Sequence, residues 1–275
     1  MDAALANRLG ASVRAADPDR YFSALFAPAP LRPFLFALYA FNAEVARVAE
    51  TVREPMLGAI RLEWWRETSE AAAKGNARNH DVARGLVALF AQKNIALADL
   101  EALIAARAFD SSADRLADFA ALDAYLDSTS GAVMRLAAQA LAGPAGIAPG
   151  IGQTLREAGL AYGLAGLLRA LAFHNGRHKL YLPLDLLSAL HVAPEEFFHL
   201  EKGDPRLPAV TRQVALKARD HFLAARQSAR PGAALAAILP AALVPVYLRK
   251  FAVDRDVPIH RRQMALLSAA MKKRL

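Results

Sequence analysis

The sequence contains no cysteine in 275 residues. That excludes a disulfide framework, a thiolate metal site and a cysteine nucleophile. Acidic residues are in deficit: 26 Asp and Glu against 34 Lys and Arg leave a net charge of +8. The excess favours anionic partners (phosphorylated metabolites, acidic lipid surfaces or nucleic acid) without choosing among them. Common catalytic signatures are also missing. There is no glycine-rich phosphate loop closing on Lys-Ser/Thr, no His-Glu-x-x-His and no Gly-x-Ser-x-Gly. No aromatic-basic recognition module is visible, so no nucleic-acid partner is expected. Residues Met1 to Arg8 do not place a basic stretch before an apolar one, which predicts no secretory signal. With 55% apolar and 22% charged residues, the chain is neither disordered nor short of core material.

The longest uncharged run, Pro231 to Leu248, just reaches the length of a membrane span. Pro231, Pro240 and Pro245 interrupt it, so it reads as a kinked core helix and no transmembrane span is expected. Alternating strand patterns are scarce and helical periodicity is widespread. Phe34, Leu38, Phe41, Val45, Val48 and Val52 recur at steps of 4 and 3, which is one helical stripe ending before Pro55. Leu160, Leu164, Leu167 and Leu171 form a second. Gly143-Pro144, Pro149-Gly150 and Asn175-Gly176 mark breaks. With no repeat and no linker, residues 1–275 read as one all-α domain of about ten helices.

Carboxylates gather at Glu44, Glu50, Glu54, Glu63, Glu67 and Glu70. Glu50 and Glu54 stand four apart and would share a helix face, a spacing able to hold a hard cation. Arg47, Arg53, Arg61 and Arg66 interleave with the acids, which is equally the pattern of a solvated helix face. The segment Gly159 to Pro183 is basic. Between Glu157 and Asp185 it has Arg169, Arg177, Lys179, His174 and His178 and no acid. Gly159, Gly163 and Gly166 make a small-residue face that another helix or a flat ligand can approach. Arg169 falls within apolar helix and requires a buried carboxylate or a bound anion.

Several motifs together resemble the squalene/phytoene synthase superfamily over roughly residues 19–250. They are Tyr21-Phe22 with Pro28 and Arg32, Leu38-Tyr39-Ala40-Phe41, Trp65-Arg66, Tyr125 with Ser130-Gly131, Leu167-Leu168-Arg169, and Gly176-Arg177 with Tyr181-Leu182-Pro183. The resemblance implies an isoprenoid-synthase-like helical fold around a central cavity. Helices 30–54 and 155–174 would face one another across it. Enzymes of this family carry two Asp-rich motifs with acids four residues apart, which hold Mg²⁺ against a diphosphate leaving group. The corresponding positions here are Ala46, Arg47 and Glu50, then Ala170 and His174, and all five are expected to face the cavity. Glu50 alone is an acid. The patterns Ala40 to Glu44, Leu168-Arg169-Ala170, His174-x-Gly176 and Lys179-x-x-Leu182-Pro183 resemble a branch with degenerate Asp motifs that includes a mitochondrial complex I assembly factor. That resemblance implies a pseudoenzyme without catalytic residues, metal or cofactor, acting as an assembly or scaffold factor with a protein partner. It would be cytoplasmic and peripheral to the inner membrane, or on the matrix side in a mitochondrion. Two alternatives stand beside it. One is a transferase joining isoprenyl diphosphates through a degenerate Mg²⁺ site. The other is a metal-independent binder of an isoprenoid or lipid phosphate, using Arg47, Glu50, Arg169, His174, Arg177, Lys179 and Tyr181.

After Pro258 the chain ends in a helical pattern. Met264, Leu267 and Met271 recur on one face, and Arg261, Arg262, Lys272, Lys273 and Arg274 supply five positive charges. The pattern fits a helix packed on the domain through that apolar face, or one attached to an acidic membrane or an acidic partner.

Overall fold

The computed structural model describes residues 1–52, 54–92, 95–142, 146–201, 203–228, 230–251 and 257–275, and Arg53 and Gly143-Pro144 lie outside them. The first half of the chain forms α1 (Ala3–Ala16), α2 (Pro18–Ala24), α3 (Arg32–Ala46), α4 (Val48–Thr51), α5 (Pro55–Ala73), α6 (Asp81–Phe90), α7 (Leu97–Ala106), α8 (Ala108–Ser111) and α9 (Phe119–Leu126). The second half forms α10 (Ala132–Ala142), α11 (Ile151–Arg169), α12 (Leu171–Asn175), α13 (Leu184–Ala189), α14 (Pro194–Phe197), α15 (Arg206–Gln227), α16 (Leu235–Ile238), α17 (Val244–Phe251) and α18 (Ile259–Lys272). No strand occurs among the described residues. The all-α expectation holds, with more and shorter helices than the periodicity implies. Local chemistry sets many of the starts. The Asp2, Asp17 and Asp118 carboxylates accept from free backbone N–H groups of α1, α2 and α9, and Pro18 and Pro55 occupy first-turn positions.

The core is organised on α3 and α11. Of the first stripe Leu38, Phe41, Val45 and Val48 are buried and Phe34 and Val52 half-buried; of the second Leu160 and Leu164 are buried and Leu167 and Leu171 half-buried, the inner face of each helix being completed by Leu35, Leu155 and Leu168. α15 lies along α11 and makes its most extensive packing partner. Gly159 and Gly163 permit close approach on the opposite side. A Cβ on Gly159 would stand 2.4 Å from Gly131 Cα in the π turn Asp127–Gly131, and one on Gly163 would stand 2.9 Å from Leu126 Cδ2. A Cβ on Gly166 would meet nothing within 4 Å, so the small-residue face is used at two of its three glycines.

The apolar run near the C-terminus is not one helix. Gly232–Arg249, with mean hydropathy 1.6, is divided into a 3₁₀ turn, α16, a second 3₁₀ segment and α17. By length and composition it could cross a membrane. Here 56% of it is buried, with Ile238, Leu239, Leu243 and Val244 in the core.

Candidate functional site

The two facing segments are each interrupted at the positions that matter. α3 stops at Ala46 and the chain resumes helix only at Val48, and α11 stops at Arg169 with helix resuming at Leu171. Arg47 (φ −78°, ψ −7°) and Ala170 (φ −91°, ψ 6°) are turn residues that keep the helical hydrogen bonds, Arg47 N–H donating to the Ala43 carbonyl at 3.1 Å and Ala170 N–H to the Gly166 carbonyl at 3.0 Å. The Thr51 hydroxyl donates back to the carbonyls of Arg47 and Val48, at 3.2 and 3.1 Å, closing the short turn of α4. The expectation that five motif positions face one cavity therefore needs correction. Ala46, Glu50 and His174 line a cleft of about 950 Å³, whereas Arg47 and Ala170 are not among its lining residues.

Between α4, the start of α5, α8, α12 and the strand-free segment 176–181, the cleft has a definite chemistry. Its floor is a polar hub. Asp110 Oδ1 accepts from the hydroxyls of Tyr125 at 2.6 Å and Tyr181 at 3.0 Å, and Oδ2 from Arg107 Nη1 at 3.3 Å. Arg107 also reaches Tyr125 Oη and Asn42 Oδ1, each at 3.4 Å. The rings of Phe109, Tyr125 and Tyr181 lean on one another at 5.1–6.0 Å. Burial, reinforced by the Asp110 charge, holds both tyrosines well above the ordinary phenol range, so both act as neutral donors. Among the described residues, Arg107 Nε and Ser111 Oγ are buried without a hydrogen-bond partner.

The cleft is also lined by Glu50 and Glu54 and by His174, Arg177, His178 and Lys179. Desolvation lowers the His174 pKa below its ordinary 6.5, so the ring is neutral near pH 7; it rests on Tyr181 at 4.7 Å. Lys179 donates to the carbonyls of Phe109 at 2.6 Å and Ser112 at 2.9 Å and sits 4.1 Å from the Phe109 ring centre. Its ammonium thus ties α8 to the following segment, and burial lowers its pKa. The Arg177 guanidinium stacks over exposed Phe173 at 4.9 Å. Of the seven residues read from the sequence as a binding set, Glu50, His174, Arg177, Lys179 and Tyr181 come together at this cleft.

Arg47 and Arg169 do not join them. Arg169 faces a second polar cluster, where its Nη1 is 3.3 Å from Asp19 Oδ2 and its guanidinium lies 4.0 Å over the Tyr247 ring. Asp19, 3% exposed, also accepts from Arg262 Nη1 at 2.8 Å, from the Tyr162 hydroxyl at 3.3 Å and from the Tyr247 hydroxyl. The carboxylate that pairs with Arg169 is therefore on α2, and the arginine side chain remains 43% exposed. Arg107, Asp110, Ser111 and Ser112 belong to the cleft and escape sequence reasoning. The one available signal is Asp110 three residues after Arg107 within an apolar helical stretch, where a lone acid would be costly.

Magnesium is the ion that the resemblance would place in this cleft, and the donors do not fit it. Mg²⁺ takes oxygen ligands in near-octahedral geometry. Glu50 and Glu54 are the carboxylates of the lining besides Asp110, and the lining also carries the imidazoles of His174 and His178, the Arg177 and Arg107 guanidiniums and the Lys179 ammonium. Asp110 has both oxygens engaged by tyrosine and arginine. Among the described residues no three His, Asp or Glu side chains are grouped to hold a metal ion.

Comparison with known proteins agrees with the fold. A family model described as squalene/phytoene synthase matches residues 13–268. The NADH dehydrogenase (ubiquinone) complex I assembly factor 6 of Bos taurus is 28% identical over 265 residues, covering 94% of this chain and 78% of that protein. The presqualene diphosphate synthase of Rhodopseudomonas palustris is 30% identical over 201 residues, covering 72% and 69%. Among solved structures, a dehydrosqualene synthase in complex with ligand superposes with a TM-score of 0.79 at 16% identity, covering 98% of this chain and 95% of that one.

Proposed function

The chain belongs to the squalene/phytoene synthase family, and from that premise we propose that it uses the fold without the family's metal chemistry, as an assembly factor for a membrane-bound respiratory complex of the complex I type. The observation that carries the reading is the composition of the cleft. The acids that line it, Glu50, Glu54 and Asp110, share it with His174, Arg177, His178 and Lys179, and Asp110 is already engaged by Tyr125, Tyr181 and Arg107. The interior beneath is packed. Tyr39 and Phe41 are fully buried side chains, and Arg20 is buried between the Tyr39 and Tyr162 rings at 5.9 and 5.1 Å and paired with Asp17. Such an interior suits a rigid platform. The relatives from Bos taurus and Homo sapiens, which cover 94% and 89% of this chain, carry the name of a complex I assembly factor, which supports the same reading.

In this role the cleft recognises a polypeptide segment of the complex or of another assembly protein, at the inner face of the energy-transducing membrane. That face is the cytoplasmic side in a bacterium and the matrix side in a mitochondrion. No cofactor enters this reading. The Gly232–Arg249 segment then serves as core rather than span. A second use of the same cleft is favoured by Phe173 and Arg177. An exposed ring beside an exposed guanidinium can hold an isoprenoid or lipid phosphate without metal.

The direct chemical test is incubation of the purified chain with Mg²⁺ and farnesyl or geranylgeranyl diphosphate. No diphosphate release above the protein-free rate is expected. Magnesium-dependent release that Glu50→Gln abolishes would overturn the reading and establish the transferase.

A further inference from the structure

The C-terminal helix is turned the opposite way from a simple core helix. Its inner face is narrow and built from small groups: Leu266 and Ala269 are buried, and Arg262 reaches inward to Asp19 at 2.8 Å. That ion pair fastens α18 to α2. The stripe that the sequence singles out, Met264, Leu267 and Met271, points to solvent at 62%, 40% and 70% exposure. Steps of 3 and 4 residues keep the three on one face. Arg261, Lys272, Lys273 and Arg274 are exposed beside that stripe. The Arg226 Nε donates to the Leu275 carbonyl at 3.1 Å, which brings the basic end of α15, with exposed Arg219 and Leu223, beside the basic end of α18. No acid occurs in the sequence after Asp256, and Asp19, the acid that α18 contacts, is buried and fully paired.

We propose that the outer face of α18 docks flat on an anionic lipid bilayer, with Met264, Leu267 and Met271 entering the interface and the flanking Arg and Lys side chains meeting lipid phosphates. Two features favour a lipid surface as the occupant. The apolar groups are long, flexible and exposed, as suits a fluid acyl boundary, and every charged side chain that α18 and the residues after it carry is basic, with Asp220 on α15 the exposed acid nearest Arg219 and Leu223 in sequence. The Arg262–Asp19 pair holds the helix against the domain, so it presents a preformed face and no ordering of α18 opposes binding. This goes beyond the assembly reading by naming how the chain reaches a membrane, and it does not depend on which protein the chain assists.

Sedimentation of the full-length chain with phosphatidylcholine vesicles, with and without 30% phosphatidylglycerol, tests it. Binding is expected to the anionic vesicles only, falling steeply with salt. The triple variant Lys272→Glu, Lys273→Glu, Arg274→Glu should bind about 100-fold more weakly. Met264→Asp with Met271→Asp should abolish pelleting while leaving the thermal midpoint unchanged, because both side chains are exposed. Equal binding to neutral vesicles, or binding indifferent to the two methionines, would overturn the proposal. So would self-association through this face, seen as a dimer that the methionine variant dissociates. Since no protein partner is present, failure here leaves the assembly reading standing. A defect in assembly with normal vesicle binding would bear on that reading alone.

Discussion

Replacing Asp19 by Ala is expected to cost about 3–5 kcal/mol of stability, because it removes the one acceptor shared by two arginines and two tyrosines. Asp19 is 3% exposed and joins α2, α11, α17 and α18 through Arg169, Tyr162, Tyr247 and Arg262. Without it, Arg262 keeps a charge in a mostly buried position with no counterion, and Tyr162 and Tyr247 lose the acceptor of their hydroxyls. For a domain of this size the loss corresponds to a fall in Tm of about 10 °C, read by calorimetry. Asp19→Asn keeps the shape and one acceptor oxygen and should lie between. A change below about 1 kcal/mol for the Ala variant would mean that the cluster is solvated and does not fasten α18.

The second large effect belongs to Gly159. An added methyl group would stand 2.4 Å from Gly131 Cα and 2.9 Å from Gly131 N, and both are backbone atoms of the π turn. Backbone cannot turn aside as a side chain can, so α11 must move off the turn that carries Ser130 and Gly131. Overpacking of this kind typically costs 1–3 kcal/mol, and about 3 kcal/mol is expected here before the roughly 1 kcal/mol that Ala gains over Gly in a helix. Gly159→Ala should therefore destabilise by about 2 kcal/mol net. Gly166→Ala, on the same helix with nothing within 4 Å, should stabilise by up to about 1 kcal/mol. Urea denaturation of the pair supplies an internal control. Effects of the same sign would show that helix propensity, not contact with the π turn, governs both positions.

Much of this was readable before any coordinates. The stripes Phe34–Val52 and Leu160–Leu171 identify the two central helices because burial imposes a 3.6-residue period that side chains alone reveal. The demand of Arg169 for a carboxylate was equally legible, as a charge on an apolar helix. Its partner was not, since Asp19 is 150 residues away and nothing local links them. The same limit hid the Asp110 hub, whose members come from α8, α9 and the segment before α13. Helical spacing places Arg47 and Ala170 on the same faces as Ala46, Glu50 and His174, yet of the five only the latter three line the cleft. For α18, periodicity showed that Met264, Leu267 and Met271 share a face. It could not tell inside from outside, because the true inner face is made of Ala, one Leu and an arginine paired with α2.

The assembly reading meets its most direct test in the organism that encodes this chain. The gene is deleted, and membranes are resolved by native electrophoresis with in-gel staining for NADH dehydrogenase, alongside extraction of the squalene and carotenoid pool. Loss of the fully assembled complex I band, restored by the wild-type gene, with an unchanged isoprenoid pool, is the expected result. A normal complex I band with depleted C30 or C40 isoprenoids would contradict it and return the chain to the synthases.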